Sequence, residues 1–247
     1  MPSKNDLLFS DEQFRYALRD YLSIRVAPLY HRYRITPGAV SCADFCVSQD
    51  PLYLLSNFHL RTCRACGNKQ TGHNCMRDML AACLRLLGYY CEVEPRGPSH
   101  GFNVNTGVDI AFFLKRRKIY IDVGLADTSR VDHLEGAGST FFFNGKARHE
   151  EKVIKYASTI TARGHEFHPI IFESGGAMDG SLEKILKRAA KWAPEALKES
   201  YSYHWSSPTL VHYLLKRISA FFWKQKYQLI VSVLIYFKYI PSNHIIS

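Results

Sequence analysis

Residues 107 to 127, GVDIAFFLKRRKIYIDVGLAD, set one bare carboxylate in each of two apolar runs that face each other across a basic turn. Both runs have the length and the Ile, Val, Phe and Tyr content of buried strands. A carboxylate inside such a run is costly to bury unless it is paired or bound to a metal. Asp109 and Asp122 therefore demand a fold that gives two acids a role at the middle of a sheet. With KRRK as the turn, Leu114 pairs with Ile119, Asp109 lies opposite Gly124, and Asp122 lies opposite Ala111. In that register the aspartates share one face as diagonal neighbours, roughly 7–8 Å apart at the backbone. A slip by one residue would send them to opposite faces. Gly124 and Ala111 are small, which leaves room for an ion or a phosphate across from the acids.

Two convergent carboxylates suit Mg²⁺ or Mn²⁺, hard cations that take one or two protein oxygens and leave the remaining positions to water and substrate phosphate. The chemistry that follows is phosphodiester hydrolysis, with the metal polarising the phosphate and a lysine stabilising charge or orienting water. Lys152 and Tyr156 are four apart on one predicted helix face after the hairpin and supply such a lysine with a neighbour. The plainer alternative is a solvated or Arg-paired aspartate at each position, an exposed lysine and a packed tyrosine.

Around this hairpin the periodicity predicts helix, three strands, helix, strand, helix. Ser10 and Gln13 form a capping box opening a first helix through Tyr21. Met76, Met79, Leu80, Cys83, Leu84 and Leu87 make one apolar face of a helix from His73, which Gly88 ends. YYCEVE is the strand before the hairpin, KARHEEKVIKYASTITARG a helix, FHPIIFE a strand, and GSLEKILKRAAKWA a further amphipathic helix. The expected fold class is mixed α/β, with a central mixed sheet flanked by helices. Three regions are predicted: 1–72, an N-terminal helix and a small cysteine-rich module; 73–193, the core; and 194–247, a helical tail. The longest uncharged apolar run, Leu229 to Phe237, is far short of the roughly 20 residues a bilayer span requires, so no membrane partner is expected.

Thirty-two Lys and Arg against 22 Asp and Glu give a net charge of +10, which favours a polyanionic partner, DNA or RNA. Seven cysteines, an odd number, without an apolar signal segment, fit a reducing compartment better than a secreted disulfide framework. Cys42-x3-Cys46-x12-His59-x3-Cys63 has the short-long-short spacing of a structural Zn²⁺ site. Cys63, Cys66, His73 and Cys75 form a competing cluster, while Cys83 and Cys91 fit core positions. Glu94 is placed to extend the acidic pair or to form a surface salt bridge. Arg96 and His100, in a Gly- and Pro-containing loop, are candidates to touch a phosphate. The turn cations, Arg116 and Arg117 among them, are candidates to contact a DNA backbone without reading its sequence.

Asp109, Asp122, Lys152 and Tyr156, in this order and spacing, resemble the restriction-like endonuclease of site-specific non-LTR retrotransposons, a branch of the PD-(D/E)XK nuclease superfamily. FHPIIFESGG, with Glu173, is similar to the strand after the lysine helix in that family, and the resemblance covers roughly residues 10 to 220. It implies a restriction-endonuclease-like core with Asp109 and Asp122 as Mg²⁺ ligands, Lys152 as the catalytic lysine and Tyr156 as its support. It also implies a CCHC zinc knuckle at Cys42, Cys46, His59 and Cys63, followed by nucleic-acid contacts at His73 and Asn74. The expected activity is Mg²⁺-dependent cleavage of DNA in the nucleus, or failing that the cytoplasm, with the RNA of a parent element as a second nucleic-acid partner. The alternative is a catalytically inactive, zinc-stabilised nucleic-acid-binding protein that keeps the same fold. A further rival is an interaction protein, or a homodimer, that uses the apolar tail as its contact surface.

Overall fold

The computed structural model describes residues 8–21, 68–103, 106–127, 136, 140–202 and 207–239. The knuckle residues Cys42, Cys46, His59 and Cys63, and Cys66 of the competing cluster, lie outside these. The chain divides into two compact units, one containing Cys75–Ser219 and the other Leu8–Asn74 with Ala220–Ser247. This differs from a core ending at residue 193. The reason is burial: Tyr213, Leu214 and Ile218, in the predicted tail, are wholly buried.

In the larger unit, helix α2 (Asn68–Leu86, continuing from the smaller unit) precedes strands β1 (Cys91–Val93), β2 (Ile110–Leu114) and β3 (Arg117–Ala126). Helix α3 (Phe143–Thr161), strand β4 (Glu166–Glu173) and helices α4 (Gly180–Lys191) and α5 (Glu195–Ser202) follow. Helix α6 runs from Leu210 to Tyr239 and passes from this unit into the other. The fold class is mixed α/β, with one four-stranded sheet in the order β1-β2-β3-β4 and flanking helices. Pairings are antiparallel for β1–β2 and β2–β3 and parallel for β3–β4. A parallel neighbour requires a crossover, and α3 supplies it, packing on both β3 and β4.

The α2 periodicity is realised: Met76, Leu80, Cys83, Leu84 and Leu87 are buried, and Gly88, at φ 90°, ends the helix in the left-handed region. Its amide donates to Arg85 O while Tyr89 N reaches back to Leu84 O, the paired bonds of a Schellman stop. The helix begins at Asn68, ahead of His73. Burial pushes the Cys83 thiol up to about 12 and the Cys91 thiol up to about 11, as core positions require. In the smaller unit, helix α1 (Asp11–Tyr21) carries the reciprocal capping box, Ser10 N to Gln13 Oε1 at 3.0 Å and Gln13 N to Ser10 Oγ at 3.2 Å.

The sheet is covered on both faces. Ile110, Ile121 and Val123 are fully buried on one. On the other, Ala111 and Tyr120 join Phe102, Val108, Tyr156 and Ile160 in an apolar cluster beneath α3. At the β4 margin, Pro169 stands opposite Asp122, and Asp179 N bonds to Ile171 O while Glu173 N bonds to Ala177 O. Among the described residues, no helix is long and apolar enough to cross a membrane. Truncating Leu84, which is wholly buried, to Ala should cost about 2–5 kcal/mol. Urea unfolding should show this as a lower midpoint with an unchanged slope.

Candidate active site

The hairpin register differs from the expected one by two residues. Leu114 pairs with Arg117 and Ile110 with Ile121, so the turn is Lys115–Arg116 alone. Neither residue is a usual signal for so tight a turn, and Lys115 enters the left-handed region at φ 58° to make it. A shift of two keeps every side chain on its face. The regular ladder stops at Ile110 and Ile121; Asp109 lies at a bend just before β2, where its N bonds to Ile121 O at 3.0 Å, and from there its charge reaches the Asp122 carboxyl. The β1–β2 register continues through Glu94 N to Asp109 O at 2.8 Å, placing Glu94 opposite Asp109.

Both aspartates are buried, at 8% and 6% exposure. The Asp109 carboxylate is pinned by the backbone, its Oδ2 accepting from Val123 N at 2.6 Å. The Asp122 carboxylate accepts from Lys152 Nζ at 2.5 Å, and Lys152 is itself buried. Burial first, and then the neighbouring Asp109 charge, push the Asp122 carboxyl up to about 6, against the opposing pull of Lys152.

Gly124 has a use other than the one its position first suggests. A Cβ there would stand 2.9 Å from Lys152 Cε and 2.5 Å from Ile171 Cδ1. The bare backbone is the passage by which the lysine stem, descending from α3, reaches Asp122. Glycine is the residue that permits such close approach.

The other predicted residues divide. Glu94 lies opposite Asp109, but its carboxylate pairs with Arg77 and, at 2.6 Å, with Arg96. The salt-bridge alternative is the one realised, and Arg96 is spent on it. His100 Nε2 sits 2.8 Å from Glu92 and its Nδ1 faces the Tyr120 hydroxyl at 3.3 Å. Lys118 is not at the turn; it points from β3 to Glu92 at 3.2 Å. Tyr156 packs in the aromatic cluster, with ring centroids 6.0 Å from Phe102 and 5.6 Å from Phe167. The lysine over its ring is Lys155, with Nζ 4.6 Å from the centroid. His73 and Asn74 lie on α2, where Gln70 Nε2 donates to Asn74 Oδ1 at 2.9 Å. Arg116 and Arg117 are exposed at the hairpin tip. Glu173 is buried and caps α3, its Oε1 accepting from Gly145 N at 2.7 Å.

Three cations near the acids were not singled out from sequence. Arg77 lies within the field of Asp109. Lys155 has its pKa raised, first by its bond to the Tyr156 hydroxyl and further by the charge of Asp122. Arg148 passes 3.6 Å from the point where a Gly124 Cβ would sit. The signal for two of them was present: Arg148, Lys152 and Lys155 are spaced at i, i+4 and i+7, one stripe of α3.

Among the described residues, no group of three or more His, Cys, Asp or Glu side chains is arranged to hold a metal. The pair Asp109 and Asp122 nevertheless fits Mg²⁺, which needs only one or two protein carboxylates. Both are buried side by side, a setting in which a divalent cation would add to the compensation that Lys152 gives Asp122. No protein-family model matches the chain, and no curated protein does either.

An acid whose folded pKa is raised binds more protons folded than unfolded, so its contribution to stability is complete below the unfolded value and lost as pH rises through the folded one. In EDTA, urea midpoints should therefore fall between pH 3.8 and about 6 because of Asp122. Asp122→Asn should lack that component, and Mg²⁺ should raise the wild-type midpoint at pH 7 more than that of the variant. Parallel pH profiles for the two proteins would refute the coupling.

Proposed function

We propose that this chain is a Mg²⁺-dependent endonuclease that hydrolyses DNA phosphodiester bonds, built on a restriction-endonuclease-like core. One observation supports the reading above the others: two neighbouring buried carboxylates, Asp109 just before β2 and Asp122 on β3, with a buried lysine from the following helix bonded to one of them. The element order of helix, three strands, helix, strand around a mixed sheet agrees with that core. Mg²⁺ bound by Asp109 and Asp122 would polarise the scissile phosphate and lower the pKa of a water.

The protein's own part is positional. The Val123 amide fixes the Asp109 carboxylate in one orientation, so the acids converge before any ligand arrives. Lys152 is held over Asp122 by the opening at Gly124, where its ammonium can orient the attacking water or offset charge gathering on the phosphoryl oxygens. Lys155 lies in the field of Asp122 beside it and suits a flanking phosphate, while Arg148 on the same stripe is paired with Glu151. Zn²⁺ at Cys42, Cys46, His59 and Cys63 would be structural, and DNA as substrate makes the nucleus the working compartment.

A second reading is a nucleic-acid binder that has lost activity, and the Lys152–Asp122 bond favours it, because an ammonium already partly neutralises the acid that must hold the metal. Cleavage separates the two. Supercoiled plasmid with Mg²⁺ or Mn²⁺ should be nicked by the wild type and not by Asp122→Ala, while both retain DNA on a filter in EDTA. Lys152→Ala should slow nicking about 100- to 1,000-fold, the usual loss of one charge-stabilising group. Retention without nicking by the wild type would leave the binding reading standing and sink the enzyme.

A further inference from the structure

A second site lies at the hairpin tip, at the far end of β3 from the acids. Lys115, Arg116, Arg117, Arg188 and Lys191 surround a cleft of about 540 Å³, with Trp192 in its wall. That size is within the roughly 300–1,000 Å³ of ligand sites. Leu114 and one acid, Glu166, complete the lining. Glu166 is a brace for the arginines: Arg188 grips it with both guanidinium nitrogens, at 2.7 and 3.0 Å, and Arg117 approaches it at 3.5 Å. The Arg188 bonds, foremost, hold its carboxyl down to about 2, so it keeps that role at any working pH. Five cations against one anion leave a strongly positive cleft.

The aromatic residue decides which polyanion fits. Trp192 is 53% exposed, an unusual position for a large ring. Lys115 Nζ lies 3.8 Å from its centroid. Lys115, left-handed at the turn, thus has its ammonium over the ring. Cations beside an exposed ring match the way proteins bind single strands: charges follow the phosphates and an unstacked base lies on the aromatic face. A duplex keeps its bases stacked inward and offers none to the ring.

We propose that this cleft binds a single-stranded segment of nucleic acid, its phosphates on Lys115, Arg116 and Lys191 and one base against the part of the Trp192 ring left exposed beside Lys115. The proposal deepens the nuclease reading and rests on it for biological sense, but its binding chemistry is independent of cleavage. Arg117 and Asp122 are about 17 Å apart along β3, at roughly 3.3 Å per residue. A strand held here would flank the phosphate being cut, and the cleft would favour substrates opened or frayed on one side.

The test uses the full chain in EDTA, so that nothing is cut, with labelled 12-mer oligothymidylate, its abasic equivalent and a duplex of equal length, all read by anisotropy. The triple variant Lys115→Asn, Arg116→Gln, Lys191→Gln changes only exposed side chains and keeps a residue tolerant of positive φ at the turn. It should bind oligothymidylate at least tenfold more weakly, with the log–log salt slope reduced by about 2. Trp192→Ala should cost about tenfold on oligothymidylate and nothing on the abasic strand, with Trp192→Phe restoring most of the loss. Inorganic phosphate at millimolar concentration should compete poorly, since one phosphate spans only part of the cleft.

An unchanged affinity in the triple variant would overturn the site, and equal losses of Trp192→Ala on both strands would overturn the stacking. Competition by inorganic phosphate as effective as by the oligonucleotide would replace the strand with a small anion. A duplex bound as tightly as the single strand, through the same residues, would overturn the assignment to unpaired nucleic acid. A chain that fails to nick plasmid but gives the expected anisotropy pattern would sink the nuclease while leaving the cleft, and the reverse result would sink the cleft alone.

Discussion

The bond between Lys152 and Asp122 is the contact around which the sheet and α3 are arranged. Two carboxylates in the interior of a sheet covered on both faces would repel each other and lack water to solvate them. Lysine brings one compensating charge, and it can do so only because α3 crosses the sheet above Gly124, where no side chain blocks its stem. Crossover, glycine and acids are thus mutually required. Asp122 nonetheless keeps a raised pKa, foremost because it is buried, with the Asp109 charge adding to the shift and Lys152 opposing it. A buried carboxylate with a perturbed pKa beside a second acid and a lysine is the kind of group that gathers at functional sites.

The aromatic cluster below α3 supports the same arrangement from the apolar side. Phe102, Tyr120, Tyr156 and Phe167 meet mostly edge-to-face or tilted, and with Ile160 they fix the helix one turn beyond Lys152. Tyr156 is therefore better understood as an anchor of the lysine helix that also places the Lys155 ammonium. Glu173, by capping the first turn of α3, fixes the other end. A helix held at both ends can keep a buried ammonium in place through binding and release of a substrate.

Much of this was legible in the sequence. Asp109 and Asp122 come together as their places in the two runs suggested, although the turn is two residues shorter and Asp109 falls at a bend ahead of β2. The element order followed from periodicity, and the capping box at Ser10 and Gln13 formed as its spacing demanded. What escaped was three-dimensional. Nothing in GVDIAFFLKRRKIYIDVGLAD says that a lysine will adopt a left-handed turn conformation, and without that the tip reads as four residues instead of two. Glu94 aligned with the acids as its spacing allowed, but Arg77, seventeen residues earlier on α2, competes for it. The cleft was invisible because Arg188, Lys191 and Trp192 approach the hairpin from a helix more than sixty residues away.

The margins of the sheet bear on how copies of this protein can meet. Strand β1 is only three residues long, and β4 has at Pro169 a position with no amide to donate. Further along β4, Ile171 and Glu173 already exchange main-chain bonds with the segment at 177–179, as a short return of the chain along its own border. Open borders are the usual templates for fibre-like stacking and for dimers that share a continuous sheet. Here the end of the β4 border is taken by the chain's own segment at 177–179, so that stretch is not open to a strand from another molecule.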